Sequence, residues 1–145
     1  YNYIDTALIY TDYQLLMNEM VFRNAPDGNY YLVLKHFNMI ETWSAAPVSV
    51  THGSIGFYDF TSSASQAFGN NMMLKGSVWC IYTGDVNQDG LVDIQDVIQI
   101  YNDALNFVIG DVLITDLNGD YYVDVADLLL AYNNSTNFVT SISPP

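Results

Sequence analysis

The chain reads as a mostly β module over residues 1–84, built as a sandwich, followed by an α-helical pair of loop–helix units over residues 85–145. Three observations predict this. Acidic charge concentrates after Gly84. Short β-type runs punctuated by turn residues fill the first part. An internal repeat fills the second.

The charge argument comes first. Sixteen of 145 residues are Asp or Glu and three are Lys or Arg, a formal charge of −13. Yet only 13% of residues are charged and 50% are hydrophobic. Soluble domains are typically about 25% charged. The chain is too apolar for disorder and long enough for one domain or two small ones. No apolar run approaches the roughly 18–20 residues of a membrane helix, so no membrane insertion is expected. Nucleic acid is disfavoured, because the net charge repels phosphate and the only bases are Arg23, Lys35 and Lys75. Residues 1–84 hold six acids and all three bases, a net −3. Residues 85–145 hold ten acids and no base, a net −10, and all ten are Asp. That abrupt shift marks a boundary between modules.

In the first module, Tyr30–Phe37 is rich in residues that suit a pleated, half-buried surface. Asp27-Gly28 before it is a turn signal. Further strand candidates are Ile4–Tyr10, Leu15–Phe22, Val48–Thr51, Gly56–Phe60 and Ser77–Thr83. In the last of these, Val78, Cys80 and Tyr82 share one face and Trp79 and Ile81 the other, so both sides should be covered. Short strands with regular turns predict a β-sandwich. Catalytic chemistry is not indicated. His36 lies in a strand, His52 sits beside a glycine turn, and Glu41 and Asp59 are isolated. No G-x-S-x-G or H-E-x-x-H pattern occurs, so no enzyme is expected. Cys80 is the only cysteine, which excludes an internal disulfide framework. It reads as a small buried hydrophobe, with an intermolecular disulfide as the alternative. The start at Tyr1, with neither Met nor signal peptide, reads as a processed product or an excised segment. Twelve Tyr and seven Phe among so few charges point to a mixture of packed core and protein–protein interface.

The second module repeats with a period of 31 residues. Asp85–Asp96 aligns with Asp116–Asp127, Tyr101-Asn102-Asp103 with Tyr132-Asn133-Asn134, and Asn106-Phe107-Val108 with Asn137-Phe138-Val139. Each copy begins as a twelve-residue calcium loop, in which positions 1, 3 and 5 aim side-chain oxygens at a hard cation. Position 7 adds a backbone carbonyl and position 12 closes the shell. The predicted ligands of the first ion are Asp85, Asn87, Asp89, the Leu91 carbonyl and Asp96. Asp93 at position 9 acts directly or through water. For the second ion they are Asp116, Asn118, Asp120, the Tyr122 carbonyl and Asp127, with Asp124 at position 9. Oxygen ligands without His or Cys disfavour zinc and softer metals. Two calcium ions are therefore the expected cofactors.

Position 6 is Gly90 in the first loop and Tyr121 in the second. A left-handed backbone there costs a non-glycine residue on the order of 1 kcal/mol, which predicts weaker binding in the second loop. Position 12 is Asp in both loops, where an EF-hand usually has Glu, so its shorter arm must approach the ion more closely. The flanks are strand-then-loop-then-helix rather than helix-loop-helix. After the first loop, Ile94, Val97, Ile98, Tyr101 and Leu105 follow helical spacing. After the second, Val125, Leu128, Leu129 and Tyr132 do the same. These stripes are expected to face one another in a small antiparallel core. No Met-rich groove is evident, which disfavours a calmodulin-like switch.

Two loop–helix calcium repeats in this order, over residues 85–140, resemble the type I dockerin family. That resemblance implies a non-catalytic module docking onto a cohesin in an extracellular assembly. Its partner-reading residues typically include Ser or Thr at loop positions 10 and 11. Here those positions hold Ile94 and Gln95, then Val125 and Ala126. Apolar residues there suit intramolecular packing. The first module shows Gly28–His36, Ile40-Glu41-Thr42-Trp43-Ser44, Tyr58-Asp59-Phe60-Thr61 and Ala67-Phe68-Gly69-Asn70. These segments resemble a C-terminal region of large secreted bacterial surface proteins. There an Ig-like or transthyretin-like sandwich runs into a dockerin-like pair. Members of that family usually carry a further β-strand upstream of the segment matching Tyr1–Ile4.

The expected function is a non-enzymatic, extracellular or cell-surface structural module, stabilised by calcium, that polymerises with copies of itself. A neighbour's strand would add to an exposed sheet edge, and head-to-tail use of that edge gives a fibre. The alternative is a docking module for a cohesin-like scaffold partner.

Overall fold

The computed structural model describes residues 24–51 and 57–145. The strand candidates Ile4–Tyr10 and Leu15–Phe22, and His52, lie outside the described residues. The architecture is mixed, with small antiparallel sheets preceding two helices. Strand β1 (Gly28–Tyr30) pairs with β4 (Val48–Val50), β2 (Val33–Leu34) with β3 (Thr42–Trp43), and β5 (Met73–Lys75) with β6 (Val78–Cys80). All three pairs are antiparallel, in the registers Tyr30↔Val48, Val33↔Trp43 and Met73↔Cys80.

The long strand predicted over Tyr30–Phe37 is divided between two partners. The reason is Ser44, which is fully buried. Its hydroxyl accepts from the Leu32 N–H at 3.0 Å while its own N–H donates to the Leu32 carbonyl at 2.8 Å. A side chain thus takes a ladder position, and the chain changes sheets around it. The expected strand ending at Phe60 is irregular over residues 57–59, with a turn at Phe60.

Each 12-residue helix, α1 (Ile94–Leu105) and α2 (Val125–Thr136), starts at a full capping box. Asp93 accepts from Gln95 N–H and Asp124 from Ala126 N–H, both at 2.7 Å. Asp96 and Asp127 reach back to the Asp93 and Asp124 N–H groups at 2.9 Å. Carboxylates at a helix start also meet the favourable end of its dipole.

Three apolar clusters hold the described chain. Phe60, Ala67 and Met72 gather Leu32, Leu34, Tyr58, Trp79 and Ile81 under the sheets. Val86, Ile100, Leu117, Val123 and Ala131 form the core of the helical part. Between them, Ile40, Val92, Val139 and Tyr82 join the two parts. Polar bonds follow the same seam. Gly84 N–H donates to Asn38 O at 2.8 Å, Asn38 Nδ2 to Asp116 O at 2.9 Å, and Asn134 Nδ2 to Thr83 O at 2.7 Å. Gly84 has φ 113, and a Cβ there would meet Val92 Cγ1 at 3.0 Å. Only glycine lets the chain turn this close to the helical part. Among the described residues, no helix is long and apolar enough to cross a membrane.

The apolar stripes sit differently from expectation. The buried face of α1 carries Asp96 and Ile100, with Val97 and Ala104 packed beside them. Ile94, Ile98, Tyr101 and Leu105 are exposed instead. On α2, Ala131 and Leu128 turn inward while Val125, Leu129 and Tyr132 are exposed. Each helix has apolar residues on more of its circumference than one core face needs. The capping carboxylates, fixed to the loop backbone, select the ridge that turns inward.

Candidate functional site

The two loops share most of their hydrogen bonds. In the first, Asp85 Oδ2 accepts from Gly90 N–H at 3.1 Å and Asn87 Oδ1 from Asp89 N–H at 2.9 Å. Asn87 Nδ2 donates to Asp89 Oδ2 at 3.0 Å, and Asp89 Oδ1 accepts from Leu91 N–H at 3.0 Å. In the second, Asp116 Oδ2 accepts from Tyr121 N–H at 2.9 Å and Asn118 Oδ1 from Asp120 N–H at 2.8 Å. Asn118 Nδ2 donates to Asp120 Oδ2 at 2.9 Å, and Asp120 Oδ1 accepts from Tyr122 N–H at 3.0 Å. Among the bonds to the position-1 carboxylate, the frames diverge at one donor. Asp85 Oδ1 accepts from Asp89 N–H at 3.1 Å, whereas Asp116 Oδ1 accepts from Gly119 N–H at 2.7 Å.

Position 12 does more than its sequence role implied. Asp96 Oδ1 accepts from Val86 and Asn87 N–H at 2.9 and 3.1 Å, in addition to the capping bond on Oδ2. Asp127 does the same with Leu117 and Asn118 at 2.8 and 3.1 Å. Both carboxylates are fully buried. Each ties the start of its loop to the start of its helix. A carboxylate offers about four lone-pair positions, and three are taken here, which leaves little for bidentate closure on an ion.

Backbone strain is shared equally between the loops. Tyr121 has φ 73, as the sequence implied, where the first loop has Gly90 at φ 88. At position 4 the assignment reverses, with Gln88 at φ 60 and Gly119 at φ 78. Each loop therefore carries one glycine and one side chain in the left-handed region. Weaker binding in the second loop does not follow from strain. Gln88 Nε2 also donates to Asp85 O at 2.7 Å and to Met39 O at 3.3 Å, which offsets its cost.

The loops are also intertwined. Leu91 bridges to Thr140, beyond α2, while Tyr122 bridges to Ile109, beyond α1. Val92 N–H donates to Val139 O at 2.9 Å and Val123 N–H to Val108 O at 3.0 Å. The paired positions exchange under the 31-residue repeat. Each loop is completed by the segment that follows the other helix, an approximate internal two-fold.

Electrostatics favour a cation. Asp85 and Asp116 are buried, and residues 85–145 contain no base. Burial pushes the Asp85 carboxyl above its ordinary 3.8. The negative charges of Asp96 and Asp89 add to that effect, and N–H donation from Gly90 and Asp89 opposes it. The first loop opens on a hollow of about 240 Å³ lined by Asp85, Asp89 and Gly90, with Lys35, Glu41 and Ser141 opposite. Lys35 and Glu41 form an ion pair at 3.5 Å. Among the described residues, no three His, Cys, Asp or Glu side chains gather into a compact metal cluster. The loop oxygens are instead interleaved with Asn and backbone groups and held by N–H donors. The donor chemistry fits a hard cation. Asp85, Asn87 and Asp89, and their counterparts Asp116, Asn118 and Asp120, are the oxygens suited to hold one. Asp93 and Asp124 serve as helix caps.

Comparison with protein-family models, with curated proteins and with solved structures finds no match for this chain.

Proposed function

We propose that the chain is a non-enzymatic, extracellular, calcium-stabilised assembly module that associates with copies of itself. In this reading, residues 1–84 are an Ig-like or transthyretin-like sandwich and residues 85–145 a dockerin-like pair. Two calcium ions occupy the loops. The observation that carries it is the duplicated hydrogen-bond frame, which buries Asp85 and Asp116 in a segment with no base, while Asp96 and Asp127 are each held by three N–H donors. Burying carboxylates without a cation is costly. A divalent ion removes that cost, and its binding energy becomes folding energy.

Polymerisation by strand addition draws support from the sheets. Among the described residues, β1 and β4 form a two-stranded antiparallel sheet, the kind of ribbon that strand addition extends. The test is calorimetric titration with calcium followed by negative-stain microscopy of the loaded protein. Two bound ions and fibres are expected. A concentration-independent monomer without fibres overturns the assembly reading. Docking to a cohesin-like partner is the second reading, favoured by the paired loop–helix frame. A chelator-sensitive, nanomolar pull-down with cohesins would place it first.

A further inference from the structure

We propose that the exposed two-helix face joins two copies of this chain in an isologous dimer. Ile94, Ile98 and Tyr101 of α1, with Val125, Leu129 and Tyr132 of α2, are between 47% and 73% exposed. They line one groove of about 370 Å³, floored by Val97 and Leu128. These are repeat-equivalent positions, so apolar residues occur at the same solvent-facing sites twice. An amphipathic helix ordinarily places polar residues there.

Three features choose a second copy as the occupant. The first is area. With Leu105 continuing the α1 ridge, seven half-exposed side chains at roughly 100 Å² each leave on the order of 700 Å² open. A stable interface takes about 600–1,000 Å² from each partner. The second is charge. No charged residue lines the groove, in a chain of net charge −13. An acidic or basic partner finds nothing to pair with, whereas copies repel least where they carry no charge. The third is symmetry. The exchanged pairings of Val92 with Val139 and Val123 with Val108 relate the helices by an approximate two-fold. Such a face presents equivalent ridges to a rotated copy of itself, which suits the self-complementary patch an isologous contact needs.

The dimer rests on the reading that the protein assembles with itself, but it uses a different surface from strand addition. The test is sedimentation of the full calcium-loaded chain across a concentration series, for wild type, Ile98→Glu, Leu129→Glu and the double variant. Wild type should convert from monomer to dimer. Each Glu should weaken association at least about 100-fold, because a two-fold contact buries the new carboxylate twice. Circular dichroism and calcium titration should be unchanged, since both positions are exposed. Ile98→Gln and Leu129→Gln repeat the test without added charge if a Glu variant misfolds. A monomeric wild type, or a dimer indifferent to all substitutions, overturns the proposal. So does a monomer that holds a different protein on this face. Fibres that persist in the double variant after its dimer is lost assign fibre growth to strand addition and leave the helical dimer as a separate contact. Dimers without fibres overturn strand addition and leave the helical contact standing.

Discussion

Replacing Tyr121 with glycine tests the equal sharing of strain between the loops. Tyr121 has φ 73 and its side chain is exposed, so the substitution relieves backbone strain and removes little packing. Relief is worth on the order of 1 kcal/mol, or about 2–4 °C in melting temperature for a domain near 150 residues. Gln88 at φ 60 is the matching position in the first loop, but glycine there also deletes the bonds to Asp85 O and Met39 O. At about 1 kcal/mol for a net hydrogen bond, Gln88→Gly should be neutral or destabilising. Tyr121→Gly should therefore stabilise while Gln88→Gly does not. The wild-type sites should differ in calcium affinity by less than about tenfold, the equivalent of 1.4 kcal/mol. Thermal melts of metal-free and loaded protein, with calorimetric titration, measure both quantities. A lower melting temperature for Tyr121→Gly, or a second site more than tenfold weaker in wild type, refutes the reasoning.

Further expectations concern the metal, pH and helix ends. Chelation should melt the helical part and leave the β part mostly folded, seen as loss of helical circular dichroism; unchanged helix content after chelation would contradict it. Metal-free stability should fall as pH rises above 3.8, because burial raises the folded pKa of Asp85 and the folded state then holds the proton more tightly. The difference between wild type and Asp85→Asn in metal-free melts isolates this contribution, and calcium should abolish it. Phe107 and Phe138 end the two helices at φ 51 and φ 54, each more than 80% exposed, where glycine is usual. Phe107→Gly and Phe138→Gly should each raise stability by about 1 kcal/mol in denaturant titration; destabilisation would show that these rings pack against something.

Local features of the fold were legible in the sequence, and features set by remote contacts were not. The repeat announced both loops and both helices, because capping chemistry depends on neighbours within a few residues, whereas Asp27-Gly28, read as a turn before a strand, has Gly28 already inside β1. The break after Tyr30 was not legible, since it depends on the Ser44 hydroxyl meeting Leu32 twelve positions away. Nor was the inward ridge of α1. Ile98 and Ile100 are the same residue type two positions apart, and helical spacing admits either. The fully buried Asp96, tied to Val86 and Asn87, settles the rotation. Asp93 and Asp96 were read as ligands from their loop positions, and the capping bonds by which they also hold the start of α1 were not foreseen. Gln88 was missed because position 4 gave no sequence signal. Gly119 at the matching position of the second repeat was the one available hint.

The exchanged pairing gives the two loops a shared fate. Val92 follows the first loop's central turn, yet its N–H is satisfied by Val139, beyond α2, and Val123 depends likewise on Val108 beyond α1. Neither repeat completes its own backbone bonding, so opening one loop exposes a donor in it and an acceptor in the other. A buried unsatisfied group costs about 1–3 kcal/mol, and this cost falls on whichever site is still ordered. On the calcium proposal, filling one loop thereby holds the segment that the other needs. By linkage the coupling must be equal in both directions. Val92 also packs with Ile40 and Tyr82 at the seam with the sheets, so ordering of the first loop is felt in the β part as well. The duplicated frame thus acts as one cooperative unit, with the proposed calcium edge on the loops and its apolar ridge on the helices.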